Sequence, residues 1–220
     1  YRVGAESPIV DALIAASREG KEVTAIVELR ARFDEAANIR LAQRLTKAGA
    51  RVAYGVVNFK CHAKLLMLVR REGKRLRRYA HIGTGNYHIG NARLYTDYSF
   101  MTSNPDICDD VHQLFMQLTG LGEIPKLKLM LQSPFTLLPH LLQSIEKEAE
   151  NARQGKPAWI LAKLNSLTEP GIIQALYRAS QAGVRVDLIV RGICSLRPGV
   201  KGVSDNIRVI SIVGRFLEHH

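Results

Sequence analysis

Apolar positions near the start of the chain follow two different periods. Ile9, Leu13 and Ala16 recur at three- and four-residue spacing and stop at Gly20, which predicts a helix over 8–19 closed by a glycine. Residues 23–29 (Val-Thr-Ala-Ile-Val-Glu-Leu) are then a short apolar run with β-branched residues, the pattern of a buried strand. Asp34 to Ala48 is helical again through Ile39, Leu41 and Leu45, with Asp34 as a natural N-cap and a stop at Gly49. Strands are predicted over 51–57 and 59–69. Arg71-Glu72-Gly73-Lys74 is a turn, after which Leu76 to Ile82 runs back, and a helix near 105–119 closes this half.

Gly120-Leu121-Gly122-Glu123-Ile124-Pro125 is dense in breakers and is the best domain boundary, giving lobes at 1–122 and 123–220. Beyond it the pattern predicts a helix over 139–153 with an acidic side (Glu146, Glu148, Glu150) and a strand over 159–164. A helix–strand unit at 170–191, a Pro198-Gly199 turn and a strand over 208–213 follow. Alternating units of this length predict an α/β fold, with mixed, mainly parallel sheets flanked by helices.

The two halves repeat each other. Ala12-Leu13-x-x-Ala16-Ser17-x-x-Gly20-x-x-Val23-x-x-Ile26-Val27 returns as Ala175-Leu176-x-x-Ala179-Ser180-x-x-Gly183-x-x-Val186-x-x-Ile189-Val190, an offset of 163. Further on, Arg51-Val52 matches Arg208-Val209 at an offset of 157, which carries His62 onto His219. A repeated supersecondary unit that twice delivers a histidine predicts two similar lobes sharing a two-histidine site.

Composition adds one strong bias. The chain has 31 Lys and Arg against 20 Asp and Glu, a formal charge of +11, which favours a polyanionic partner such as phosphate chains, nucleotides, nucleic acid or an anionic membrane surface. Cys61, Cys108 and Cys194 are widely spaced, which argues against a disulfide framework or a zinc site and for a reducing, cytoplasmic setting. No apolar run reaches the ~18 residues of a membrane span. Tyr1 in place of Met and the stop at Glu218-His219-His220 read as a segment of a longer chain. Leu217 to His220 also matches the start of a purification tag, against which the repeat arithmetic speaks for His219.

The chemistry gathers on a few strings. On a strand over 59–69, His62 and Lys64 would share a face about 7 Å apart, placing a phosphoryl-accepting imidazole beside a fixed positive charge. A short His-x-Lys alone is more often a core-edge histidine beside a solvated lysine; the repeat partner His219 shifts the balance towards chemistry. His81-Ile82-Gly83-Thr84-Gly85-Asn86 can form an anion-holding loop, with Thr84 and Asn86 as side-chain donors, or a plain turn. Arg32 follows a strand and opens a helix, where a guanidinium can meet phosphate or pair with a nearby carboxylate. Arg191 ends the equivalent strand of the second repeat, aligned with Glu28, so the lobes are not chemically identical. Arg70, Arg71, Lys74, Arg75, Arg77 and Arg78 read first as an exposed hairpin tip and second as a polyanion track. His81, His88, His112 and His140 read as structural, and no zinc ligand set stands beside His62 or His219.

These strings resemble the long bacterial, histidine-phosphorylating polyphosphate kinase family. They are Tyr1-Arg2-Val3, Val27-Glu28-Leu29-x-Ala31-Arg32-Phe33-Asp34-Glu35, His62-Ala63-Lys64-Leu65, Tyr79-Ala80-His81-Ile82-Gly83-Thr84-Gly85-Asn86 and Ala92-Arg93-Leu94-Tyr95-Thr96-Asp97-Tyr98. The second half adds Leu188-Ile189-Val190-Arg191-Gly192, Cys194-Ser195-Leu196, Ser204-Asp205-Asn206-Ile207-Arg208 and Phe216-Leu217-Glu218-His219. The resemblance implies two phospholipase-D-like lobes that transfer the ATP γ-phosphate reversibly to inorganic polyphosphate. By motif position it implies His62 as the phosphorylated residue, His219 as a second essential histidine near the nucleotide, and Tyr95 and Arg191 as ATP contacts. Arg2 and Arg32 match positions in the phosphate and Mg²⁺ region; a guanidinium has no lone pair for a metal, so both are read as phosphate clamps beside a metal held through phosphate and water.

The same resemblance implies Mg²⁺ as cofactor, ATP/ADP and polyphosphate as partners, and further N- and C-terminal segments of the same protein, without which the fragment can be inactive. It leaves room for a homo-oligomer and for peripheral association with the inner membrane face, and implies no specific nucleic acid. Two rivals stand beside it. A phospholipase-D-class phosphodiesterase shares the two-histidine logic but usually carries an aspartate shortly after its lysine, where this chain has Leu65-Leu66-Met67-Leu68-Val69. A non-catalytic basic module binding nucleic acid would call for exposed aromatics, and aromatics are only 6%.

Overall fold

The computed structural model describes residues 1–4, 7–56, 58–120 and 124–219. The boundary expected at 122/123 falls on residues outside that set, as does His220.

In chain order the first elements are α1 (Pro8–Arg18), β1 (Thr24–Val27), α2 (Glu35–Lys47), β2 (Arg51–Tyr54), β3 (Lys64–Glu72) and β4 (Arg75–Gly83). They are followed by α3 (Ile89–Ala92), β5 (Tyr95–Thr96), β6 (Ser99–Thr102) and α4 (Pro105–Leu118). Then come α5 (Leu137–Arg153), β7 (Trp159–Leu164), α6 (Pro170–Gln181), β8 (Arg185–Val190), β9 (Ile207–Ile210) and β10 (Leu217–Glu218). Contacts divide the chain into two compact units: residues 1–130 together with 216–219, and residues 131–215.

The first unit is built around two small cores. Val10, Val23, Leu41, Leu45 and Ala50 are buried together where α1 and α2 pack against the parallel pair β1–β2. Ala80, Cys108 and Val111 form the second, where α4 lies on the antiparallel sheet β3–β4–β6. The apolar residues facing α4 alternate with those facing away, as the two-residue period of a strand requires: Leu65 pairs with Ile82 and Met67 with Ala80 on that side. Asp110 is buried on α4 and accepts three main-chain N–H groups, from Lys128, Leu129 and Met130, each at 2.8 Å, which pins the end of the unit. In the second unit α5 and α6 cover one face of the parallel sheet β7–β8–β9, burying Val184, Val186, Leu188, Val190 and Ile207.

The fold is the mixed α/β fold expected, and the repeat is visible in the strand register. Thr24↔Arg51, Ala25↔Val52 and Ile26↔Ala53 in β1–β2 map, under offsets of 163 and 157, onto Asp187↔Arg208, Leu188↔Val209 and Ile189↔Ile210 in β8–β9. The first unit carries in addition the antiparallel hairpin, whose tip at Gly73 is the turn read from the sequence. The basic cluster sits at this tip; Arg70 faces Arg77 across the ladder, and Glu72 pairs with both, at 3.3 and 3.4 Å.

Two local expectations need correction. Asp34 occupies the N-cap position of α2, but its side chain makes no cap bond; the carboxylate instead pairs with Arg2 Nε at 2.7 Å. The strand expected over 59–69 begins only at Lys64, so His62 lies in the loop before it. Asn58 takes a left-handed φ of 67° while the Phe59 N–H closes a turn on the Val56 carbonyl. The Cys61 N–H is drawn to the Glu28 carboxylate, at 2.7 Å, instead of a neighbouring strand.

Candidate functional site

The first unit gathers His62, Lys64, His219, Tyr95, Thr84, Arg2 and Arg32, residues that the sequence spreads over more than two hundred positions. His62 is presented by the loop 58–63 and is exposed. Lys64, the first residue of β3, is 6% exposed, and its Nζ lies 3.0 Å from His62 Nδ1 and 3.2 Å from Nε2. An ammonium equidistant from both ring nitrogens is in line with neither lone pair. The contact is therefore a close electrostatic approach that discourages a proton on the ring.

Both groups are tuned away from their ordinary states. Partial burial of the ring, then the charges of Lys64, Lys60 and His219, lower the His62 pKa from 6.5 to about 4. The imidazole is neutral at pH 7, the form that has a lone pair to offer. Burial also lowers Lys64 from 10.5 to about 8, opposed chiefly by the negative charge of Asp97. Lys64 remains mostly cationic at pH 7.

Tyr1 packs edge-on against His62, ring centroids 4.5 Å apart at 66°. Three cations surround the same tyrosine ring: Lys60 at 5.0 Å, Arg2 at 5.3 Å and Lys64 at 5.8 Å from its centroid. Tyr95 meets His219 in nearly the same way, at 4.6 Å and 65°. Each histidine thus has a tyrosine edge partner, though only Tyr95 belongs to the expected site.

His219 reaches the first unit through a strand addition. β10 pairs in parallel with β5, Leu217 opposite Tyr95 and Glu218 opposite Thr96, and the His219 N–H donates to the Thr96 carbonyl at 3.0 Å. Its Nδ1 lies 3.0 Å from Asp97 Oδ1. A carboxylate only accepts, so Nδ1 carries the hydrogen and Nε2 is left for other partners. Asp97 is the residue that spacing did not single out: its contact with His219 spans 122 positions, and its only trace was its place in the Tyr95-Thr96-Asp97 string.

The loop after β4 holds Asp97 in place. Thr84 Oγ1 donates to Asp97 Oδ1 at 3.0 Å and accepts the Tyr98 N–H at 2.9 Å. The Thr84 hydroxyl, expected as a phosphate donor, is thus engaged in orienting Asp97. Asn86 lies in the same loop with its Oδ1 buried and without a hydrogen-bond partner among the described residues. A Cβ on Gly85 would stand 2.5 Å from Asp97 Oδ2, so only glycine lets the loop pass this close to the carboxylate. His81 steadies the loop, with Nδ1 2.7 Å from the Tyr87 hydroxyl and Nε2 2.7 Å from Ser99 Oγ.

Arg2 and Arg32 are brought together, Arg2 Nη2 donating to the Arg32 carbonyl at 2.8 Å. Both offer only N–H donors, and the described residues contain no group of three or more His, Cys, Asp or Glu side chains suited to a metal. These residues fit phosphate and do not fit as ligands of Mg²⁺. Arg191 belongs to the second unit, just after β8, where its N–H donates to the Leu164 carbonyl at 3.2 Å.

The family model for polyphosphate kinase C-terminal domain 1 matches residues 1–124, and that for C-terminal domain 2 matches residues 130–220. Polyphosphate kinase of Pseudomonas aeruginosa is 63% identical over 219 residues, covering 100% of this chain and 32% of the relative. Polyphosphate kinase of Xylella fastidiosa is 64% identical, with 100% and 31% covered. The crystal structure of polyphosphate kinase from Porphyromonas gingivalis superposes with a TM-score of 0.86 at 42% identity, covering 100% of this chain and 36% of that one. The chain spans about a third of the length of the curated relatives it matches. With the two family models together matching residues 1–124 and 130–220 and a phospholipase-D-like fold in common, the chain belongs to the polyphosphate kinase family.

Proposed function

We propose that the chain carries the phosphoryl-transfer centre of a polyphosphate kinase, moving the ATP γ-phosphate to inorganic polyphosphate, reversibly, through a phosphohistidine on His62. The observation that carries this reading is the Lys64 ammonium standing 3.0 Å from the His62 ring. In the first step a ring nitrogen attacks the γ-phosphorus, an N–P bond forms, and the P–O bond to ADP breaks with its electron pair leaving on ADP. Lys64 turns from the ring towards the non-bridging oxygens and offsets their charge. In the second step a terminal oxygen of polyphosphate attacks the same phosphorus; the N–P bond breaks, the imidazole returns to neutrality, and the polymer is one phosphate longer.

His219 serves both steps as acid/base or charge stabiliser from Nε2, held by Asp97 at Nδ1 and by Tyr95 at its edge. Arg2 and Arg32 clamp phosphates. Mg²⁺ would supply charge neutralisation on ATP, beside phosphates that Arg2 and Arg32 would hold. The complete enzyme requires the further segments of the full-length polypeptide. The test is His62→Ala in the full-length protein: polyphosphate synthesis is expected to be lost with the unfolding midpoint unchanged, and retained synthesis would remove His62 from the mechanism.

A further inference from the structure

A closed circuit of contacts runs through His62, and two of its members are buried polar residues outside the machinery described above. Glu28, just past the end of β1, is 4% exposed. Its Oε1 accepts the Arg30 N–H at 2.7 Å and its Oε2 accepts the N–H of Cys61, the residue before His62, at 2.7 Å. Asn38 on α2 is 1% exposed, and its Nδ2 donates both to the Glu28 carbonyl, at 2.8 Å, and to the Tyr1 carbonyl, at 2.7 Å. Tyr1 in turn places its ring edge on His62. One amide group therefore ties together the two supports that flank the histidine, one through the chain at Cys61 and one through the Tyr1 ring.

Neither residue is where burial alone would put it. A carboxylate taken out of water is costly unless its oxygens are satisfied. Here they are spent on main-chain N–H groups of two loops, the usual means of fixing a loop against a sheet. The second repeat places Arg191 where the first has Glu28, so this support belongs to His62 and is not duplicated for His219.

We infer that Glu28 and Asn38 are positioning residues for His62, forming a buried polar mount that fixes the loop 58–63 and the Tyr1 ring so that the imidazole meets the incoming phosphorus in line. This rests on the proposed role of His62 as nucleophile. Neither residue touches substrate, so their removal acts on the rate of phosphoryl transfer and not on ATP affinity. In Glu28→Gln the amide offers one acceptor and turns its NH₂ towards a main-chain donor, freeing one of the two N–H groups. Asn38→Ala attacks the mount from the other side and decides the matter if Glu28→Gln fails to fold.

The test uses the full-length enzyme with two readouts: hydrogen exchange of the peptide containing 58–63, and single-turnover labelling of His62 from γ-labelled ATP. The expected result is loss of protection in that peptide while β3 and β4 stay protected. The maximal labelling rate falls on the order of 10²-fold, the cost of a misplacement near 1 Å, and the half-saturating ATP concentration stays within about twofold. Retained protection in both variants overturns the inference, as does lost protection with an unchanged labelling rate. If the wild-type enzyme takes no label at His62, the proposed function fails. The exchange arm then decides the mount by itself: lost protection upholds it and retained protection overturns it.

Discussion

Gly85→Ala isolates how much of the chemistry depends on the Asp97–His219 pair. The added methyl would lie 2.5 Å from Asp97 Oδ2, 2.6 Å from Cγ and 3.0 Å from Cβ, where 3.4 Å is the near edge of ordinary contact. Because the side chain is approached along its whole length, rotating the carboxylate tip does not relieve the clash. Asp97 or the loop must move by about 1 Å, typically at a cost of about 1–3 kcal/mol for an overpacked site. The same displacement takes the 3.0 Å bond to His219 Nδ1 and the 3.0 Å bond from Thr84 beyond hydrogen-bonding range. His219 then loses its fixed tautomer, and kcat for polyphosphate synthesis by the full-length enzyme is expected to fall by about 10- to 10²-fold. Steady-state kinetics on Gly85→Ala, Asp97→Asn and the double variant check this. If the glycine acts through Asp97, the double variant is no worse than Asp97→Asn. Losses that multiply, or a kcat for Gly85→Ala within about threefold of wild type, would refute the reasoning.

Other outcomes follow from the tuned and buried groups. In an NMR titration of this chain, the His62 ring is expected to titrate near pH 4; a midpoint near 6.5 would contradict the assignment. Because the unfolded chain binds that proton and the folded chain does not, folding stability should drop as pH falls from 6.5 to about 4, read by denaturant unfolding across the window. Lys64 gives the alkaline counterpart: transfer by the full-length enzyme should decline above about pH 8 as the ammonium is lost. Asp110→Asn points an NH₂ at main-chain donors and should destabilise the fold by about 2–3 kcal/mol without changing the half-saturating ATP concentration, as measured by unfolding and kinetics.

What the sequence reveals follows from the range of the interactions involved. The strand 159–164 and the hairpin turn at Gly73 are read correctly because period and breakers are local signals. The repeat predicts the register of β1–β2 from that of β8–β9, because identical spacing of apolar residues imposes identical pairing. His62 is misplaced onto a strand because the run 59–69 is apolar enough for one. What removes it is a long-range competitor, the Glu28 carboxylate taking the Cys61 N–H. The repeat assigns His219 to the second copy, whereas the backbone pairing of β10 with β5 adds it to the first unit. The contacts of Asp97, Glu28 and Asn38 escape spacing, since each has a defining partner more than twenty residues away. Tyr1 was legible only as part of a motif; its role as the counterpart of Tyr95 needs the two ring geometries side by side.

The most direct test of His62 as nucleophile is ³²P labelling from γ-labelled ATP, followed by peptide mapping, on the full-length enzyme and on this chain. Acid-labile, alkali-stable label on the peptide containing His62 in the full-length enzyme, absent from His62→Ala, is the predicted result. Label on the full-length enzyme alone means that the remaining segments complete the nucleotide site around the same histidine. A full-length enzyme that makes polyphosphate while carrying no label at His62 would contradict the phosphohistidine mechanism.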